Sequence, residues 1–252
     1  MPAPLGSGAA QDFGKGPHVI SGIIFDKDGT LFDFNATWGA WTRAMLIAEA
    51  GDDPILCERL AAVLGYDMEN ARFLPGSVVI ASTVEEVADA ILGVVPATDK
   101  DALLARMNAG SMKVAQVEAV PLRAYVAQLR QIGLTLGVVT NDAETPALRH
   151  LEGAGIRADF AFVAGYDSGF GAKPGPGQLH GFCRATGLAP DACIMVGDST
   201  HDLHAGRAAG MMTIAVLTGP APRAELEGLA DVVLRDIGEI PAWLQRERLI
   251  PG

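Results

Sequence analysis

Cysteine is scarce in this chain: Cys57, Cys183 and Cys193 are the three it has. They are odd in number, far apart and without a CxxC pair, so they offer neither a disulfide framework nor a zinc-finger spacing. Small buried side chains in a reducing cytosol are the expectation. Basic residues are scarce too, 19 Lys and Arg against 30 Asp and Glu, for a net charge of −11. Without a basic field, nucleic acid and anionic membranes are excluded as natural partners, and an anionic substrate has to be recruited by local cations. Long hydrophobic runs are also missing. The longest candidate, residues 78–95, is interrupted by Glu85, Glu86 and Asp89, short of the roughly 18 apolar positions a membrane span requires. The first 17 residues are rich in Gly, Ala, Pro and Ser and lack the basic start and apolar stretch of a signal peptide. They are expected to form a tail on a soluble, cytoplasmic protein.

What is present is a packed globular composition, 49% apolar and 19% charged. Short apolar runs at residues 19–25, 134–140, 160–164, 192–197, 213–217 and 231–234 have the near-continuous character of buried parallel strands. Amphipathic segments lie between them, at 122–132, 146–154, 178–186 and 203–209. The alternation predicts an α/β fold with a Rossmann-like open parallel sheet and right-handed crossovers. Residues 34–114 break the alternation with helical signals at 38–50, 55–64, 84–92 and 101–115. The expected organisation is a tail (1–17), an α/β core (18–33 plus 115–252) and a helical cap inserted over 34–114. Ligands bind at the carboxyl ends of strands in such sheets, and the inserted lobe starts there.

The first apolar run ends in Asp26-Lys27-Asp28-Gly29-Thr30. Side chains two apart on a strand share a face, so Asp26 and Asp28 converge, and two carboxylates that close repel and resist desolvation. Such a pair calls for a cation or a shared proton, and points to chemistry on a phosphate or another oxyanion. Later runs bring complementary groups to the same edge. The second ends in Thr140-Asn141-Asp142, a hydroxyl and an amide where a helix begins and an oxyanion is favoured. Gly171-Ala172-Lys173-Pro174 supplies a cation, and Gly197-Asp198 through Asp202 supplies two further carboxylates.

These four segments, in this order, resemble the motifs of the haloacid dehalogenase superfamily, and in particular its phosphoglycolate-phosphatase-like members. The resemblance runs from about Val19 to Val233. It implies that Asp26 is a nucleophile forming an aspartyl-phosphate and that Asp28 is the general acid and base. Thr140, Asn141 and Lys173 would hold the phosphoryl oxygens. Mg²⁺ would be bound by Asp26, the Asp28 carbonyl and Asp198, with Asp202 as a ligand or a support. The implied activity is Mg²⁺-dependent hydrolysis of a small phosphorylated metabolite. A sugar phosphomutase of the β-phosphoglucomutase type has the same first motif and is the alternative; a non-catalytic scaffold is a remote one. A dehalogenase would lack Asp28, and a phosphonoacetaldehyde hydrolase needs a Schiff-base lysine, whereas Lys100 and Lys113 both lie towards the end of the lobe. His201 and His204 stand beside Asp202, but the oxygen-rich surroundings disfavour imidazole ligation. In the lobe, Trp38 and Trp41 read as core residues, and Arg72 as a candidate contact for a substrate carboxylate or second phosphate.

Overall fold

The computed structural model describes residues 19–80, 82–95 and 98–250; the tail expected over 1–17 lies outside them. The chain begins with β1 (Gly22–Phe25) and then leaves the sheet. It forms α1 (Phe34–Ala50), α2 (Pro54–Leu64), a hairpin of β2 (Tyr66–Asp67) and β3 (Arg72–Phe73), α3 (Val84–Leu92) and α4 (Lys100–Ser111). It returns through α5 (Leu122–Gln131), β4 (Thr135–Val139), α6 (Glu144–Gly153), β5 (Phe162–Ala164) and α7 (Gly177–Thr186). It ends with β6 (Cys193–Gly197), α8 (Thr200–Ala208), β7 (Met212–Val216), α9 (Arg223–Leu226), β8 (Val232–Leu234) and α10 (Ile240–Arg246). The six expected strands are all present. The two-residue strands β2 and β3 are too short to carry a periodic signal, and the sequence did not announce them.

The sheet runs β5-β4-β1-β6-β7-β8 with every neighbouring pair parallel. β1 is central, so Ile23 lies in register with Leu136 on one side and Ile194 on the other. Period-two alternation sends Ile23, Phe25, Leu136, Val138, Ile194 and Val196 into one apolar layer. Ile24, Val139 and Met195 enter the opposite layer, with Leu179 and Phe182 of α7. Both faces are covered, which explains why the strands read as continuous rather than alternating. Gly137 is part of this fit, since a Cβ there would stand 2.6 Å from the Phe182 ring. β1 lies beside the point where successive connections run to opposite sides of the sheet, where such folds place their ligands.

The helices of 34–111 have an apolar cluster of their own, including Phe34, Trp38, Leu46, Leu60, Leu64, Phe73, Ile91, Leu103 and Met107. Each of the four starts on a side-chain cap: Asp33, Asp53, Thr83 (in a capping box with Glu86) and Asp99. The chain enters and leaves this lobe through two adjacent segments. Asp33 N–H donates to the Val117 carbonyl (2.8 Å) and Ala119 N–H to the Leu31 carbonyl (3.0 Å), with an antiparallel bridge between Phe32 and Glu118. In the sheet layer, Ile24→Ala removes a fully buried side chain and is expected to lower stability by about 2–5 kcal/mol. Denaturant unfolding should show this as a lower midpoint at unchanged slope.

Candidate active site

The carboxyl ends of β1, β4 and β6 deliver Asp26, Thr140 and Asp198 to one point. Lys173 joins them from the loop after β5, and Asp202 from the first turn of α8. The geometry is organised around Lys173, whose Nζ lies 2.5 Å from Asp26 Oδ1, 2.6 Å from Asp202 Oδ1 and 3.1 Å from the Val139 carbonyl. Asn141 holds the loop that carries it: its Oδ1 accepts from Lys173 N–H and its Nδ2 donates to the Lys173 carbonyl, both at 2.9 Å. Asp202 has a second duty. Its Oδ2 accepts from the Ser199 N–H (3.1 Å) and Oγ (2.7 Å), closing a capping box at the start of α8. Gly29, at φ 81, takes the left-handed turn that follows Asp28, and any side chain there would run into the Asp198 carboxylate.

On the other side of the aspartate pair, Lys27 is wholly buried. Its Nζ stands 2.5 Å from Asp28 Oδ2, 3.3 Å from Asp142 Oδ2 and 3.2 Å from His150 Nδ1, and 5.4 Å from the centre of the Trp38 ring. An ammonium only donates, so Nδ1 of His150 must accept. Its Nε2 then carries the proton and donates to the Ser111 carbonyl at 3.0 Å. The Trp38 indole N–H donates to Asp28 Oδ1 at 2.8 Å. Asp28 is thus fixed by a cation from the core and an N–H from the lobe.

Burial dominates the electrostatics. It raises Asp26 to about 7 against the opposing pull of Lys173, with Asp202 and Asp28 adding repulsion. It carries Asp198 well above the carboxylate range, reinforced by Asp26 and Asp202, and raises Asp142 against Lys27. For the lysines burial acts in the opposite sense. The carboxylates outweigh it: Asp202 and Asp26 hold Lys173 above its ordinary value, and Asp28 and Asp142 do the same for Lys27. Burial and Lys27 together lower His150, which keeps the ring neutral.

A divalent cation fits this arrangement. Asp26, Asp198 and Asp202 each present one oxygen within 4.8 Å of the others, and Asp198 Oδ2 is buried with no hydrogen-bond partner. The donor set is all oxygen, as hard cations require. Among the described residues His204 is exposed on α8 and neither histidine belongs to the cluster.

A cavity of about 120 Å³ opens between sheet edge and lobe, lined by Asp26, Asp28, Thr140, Asn141, Lys173 and Asp202 at one end. The structure therefore brings together every expected site residue except Arg72. That side chain is 62% exposed on the β2–β3 hairpin, 3.6 Å from Asp67, and does not line the cavity. Trp38 and Trp41, expected as core, do belong to the lobe's apolar cluster but also line the cavity. Lys27, Asp142 and His150 were missed. A lysine on the odd face of a strand end gives no sign of burial, and its partners lie 115 and 123 positions away.

The chain matches the haloacid dehalogenase-like hydrolases over residues 23–216. It is 32% identical over 227 residues to the phosphoglycolate phosphatase of Rhodospirillum rubrum, spanning 88% of this chain and 90% of the relative. To that of Agrobacterium fabrum it is 31% identical over 229 residues, spanning 88% and 92%. Among solved structures, a predicted phosphoglycolate phosphatase from Haemophilus somnus superposes with a TM-score of 0.70 at 18% identity, covering 90% of this chain and 98% of that one. A haloacid dehalogenase family hydrolase from Deinococcus radiodurans, with phosphate and sodium bound, gives 0.66 at 22%, covering 94% and 99%. These superpositions carry the fold. The chain belongs to the haloacid dehalogenase-like hydrolase family, and it is an enzyme of the phosphatase kind.

The raised Asp198 carboxyl has a thermodynamic consequence. A carboxyl that holds its proton more tightly when folded contributes stability that is present below its unfolded value, about 3.9. That stability is lost as pH rises through the higher folded value. In chelator, Asp198→Asn should therefore match the parent near about pH 4, the unfolded value, and become progressively more stable than it as pH rises from there. Thermal melts across this range check the sign, and a stability difference that does not vary with pH would contradict it.

Proposed function

We propose that the protein is a Mg²⁺-dependent phosphatase of small phosphomonoesters working through an aspartyl-phosphate, with residues 34–114 as a cap over the site. The observation that supports this most is the convergence of the Asp26–Lys173 pair, Asp28, Thr140 and Asp202 on one end of one cavity, with Asp198 clustered beside Asp26 and Asp202.

In this reading an Asp26 oxygen attacks phosphorus in line, the ester P–O bond breaks, and the departing oxygen takes a proton from Asp28. The Asp28 carboxylate then accepts a proton from water, whose oxygen attacks the same phosphorus. The bond to Asp26 breaks, and inorganic phosphate leaves. Lys173, Thr140 and Asn141 hold the phosphoryl oxygens while charge moves among them. Trp38 and Lys27 keep the Asp28 carboxyl aimed at the bond being cleaved. Asp26, the Asp28 carbonyl, Asp198 and Asp202 would hold Mg²⁺. When bound, the cation offsets the clustered negative charge and polarises the phosphoryl group. The all-oxygen donors favour Mg²⁺ over Zn²⁺.

Asp26→Asn should abolish turnover while preserving the fold. Asp28→Asn should reduce kcat by about 10²–10⁴-fold, measured as phosphate release. EDTA should stop the reaction and Mg²⁺ restore it better than Zn²⁺. Isomerised sugar phosphate with little free phosphate would instead support the phosphomutase alternative.

A further inference from the structure

The end of the cavity away from the carboxylates has a different character. Its wall is built from the lobe, with Trp41, Met45, Leu64, Val79, Val87 and Met107 among its lining. The polar groups interleaved with them, Thr42, Ser82, Asn108 and Ser111, are all neutral. The Ser111 hydroxyl already donates to the Asn108 carbonyl. Among the described residues no lysine or arginine of the lobe lines the cavity. The six in this stretch, Arg43, Arg59, Arg72, Lys100, Arg106 and Lys113, are all exposed. Three of them face carboxylates of the lobe itself: Arg72 with Asp67, Lys100 with Asp89, and Arg106 with Glu49. The one histidine in the lining, His201, comes from the core beside Asp202, at the phosphate end.

We propose that the group esterified to the phosphate is short, uncharged and largely apolar, alkyl or aryl, so that carboxylated esters such as phosphoglycolate are poor substrates. This deepens the phosphatase reading and rests on it. A carboxylate drawn into this wall loses its water and meets no cation in exchange, which is the least favourable outcome for a buried charge. An apolar group releases ordered water from both surfaces. Size favours a short group: the space, about 120 Å³, is shared with the phosphate, and a longer or aryl group would extend through the open mouth between sheet edge and lobe. Discrimination by unpaired polar groups is steep, whereas discrimination by a methylene in an apolar pocket is about 10–200-fold. Charge is therefore expected to decide first, and chain length second.

The test compares three esters of one shape with Mg²⁺ present: phosphoglycolate, its glycolamide counterpart and isobutyl phosphate. They differ in charge and polarity while keeping the same branching, and p-nitrophenyl phosphate serves as a general control. The expected order of kcat/KM is isobutyl above glycolamide above phosphoglycolate, with at least about a hundredfold between the ends. Met45, half-buried in the wall, offers a gain-of-function arm. Met45→Lys should raise the ratio for phosphoglycolate over isobutyl phosphate at least about tenfold, with its thermal melt and circular dichroism reporting that the variant is folded. Phosphoglycolate as the preferred ester of the three would overturn the inference and leave the phosphatase reading standing. An unchanged ratio in a Met45→Lys variant that melts cooperatively near the parent would also overturn it. Phosphate release from none of the four esters would defeat both together.

Discussion

Four carboxylates at the edge of this sheet are held by two buried ammonium groups, and Asp198 stands beside Asp26 and Asp202. Lys173 stands between Asp26 and Asp202, while Lys27 stands between Asp28 and Asp142 on the opposite side. Lys27 Nζ stands 2.5 Å from Asp28 Oδ2 and 3.2 Å from His150 Nδ1, with Asp142 at 3.3 Å as an ion-pair neighbour. Deleting one partner of such a buried pair costs about 3–5 kcal/mol, yet replacing whole pairs by apolar side chains is often neutral or stabilising. Stability alone therefore does not account for the arrangement. It separates the adjacent aspartates into two electrostatic settings, one facing Asp198 and Asp202 and the other facing the lobe, the difference that the proposed nucleophile and proton carrier require.

Much of this was legible before any coordinates. The strands were readable because a two-sided parallel sheet demands continuous apolar runs. The site was readable because its residues follow directly on those runs. The Asp26–Asp28 spacing, Thr140 at the end of β4 and Asp198 at the end of β6 all obey that rule. What escaped was set by tertiary contacts that leave no local trace. Nothing around Lys27 signals that its side chain turns inward to His150. The Asn141 carboxamide, expected at the phosphate, also fastens the Lys173 loop, which no local pattern signals. Trp38 satisfies the helical spacing of a core residue and is one, and only its indole N–H reveals the second task. Arg72 suggested itself by chemistry alone, and its exposed side chain does not line the cavity.

The two ends of the cavity divide the work. Every group with formal charge comes from the sheet edge and its loops, whereas the lobe contributes apolar surface and neutral dipoles. Trp38 is the exception in kind: it lines the lobe's wall while donating to a carboxyl of the core, so the lobe must be seated for Asp28 to be fully constrained. The His150 contact with the Ser111 carbonyl makes a second tie across the same boundary.

The paired segments at Leu31–Asp33 and Val117–Ala119 make the lobe an interchangeable part. Seen from the core, everything between them is a hairpin whose ends already touch, however long the excursion. The entropy of closing such an excursion grows only logarithmically, by about 0.6 kcal/mol for each doubling of length. Lobes of other sizes can thus be grafted onto the same two stumps with little penalty to the sheet. A lineage, or an engineer, can exchange the lobe and keep the sheet, provided the replacement supplies the N–H that Trp38 gives to Asp28.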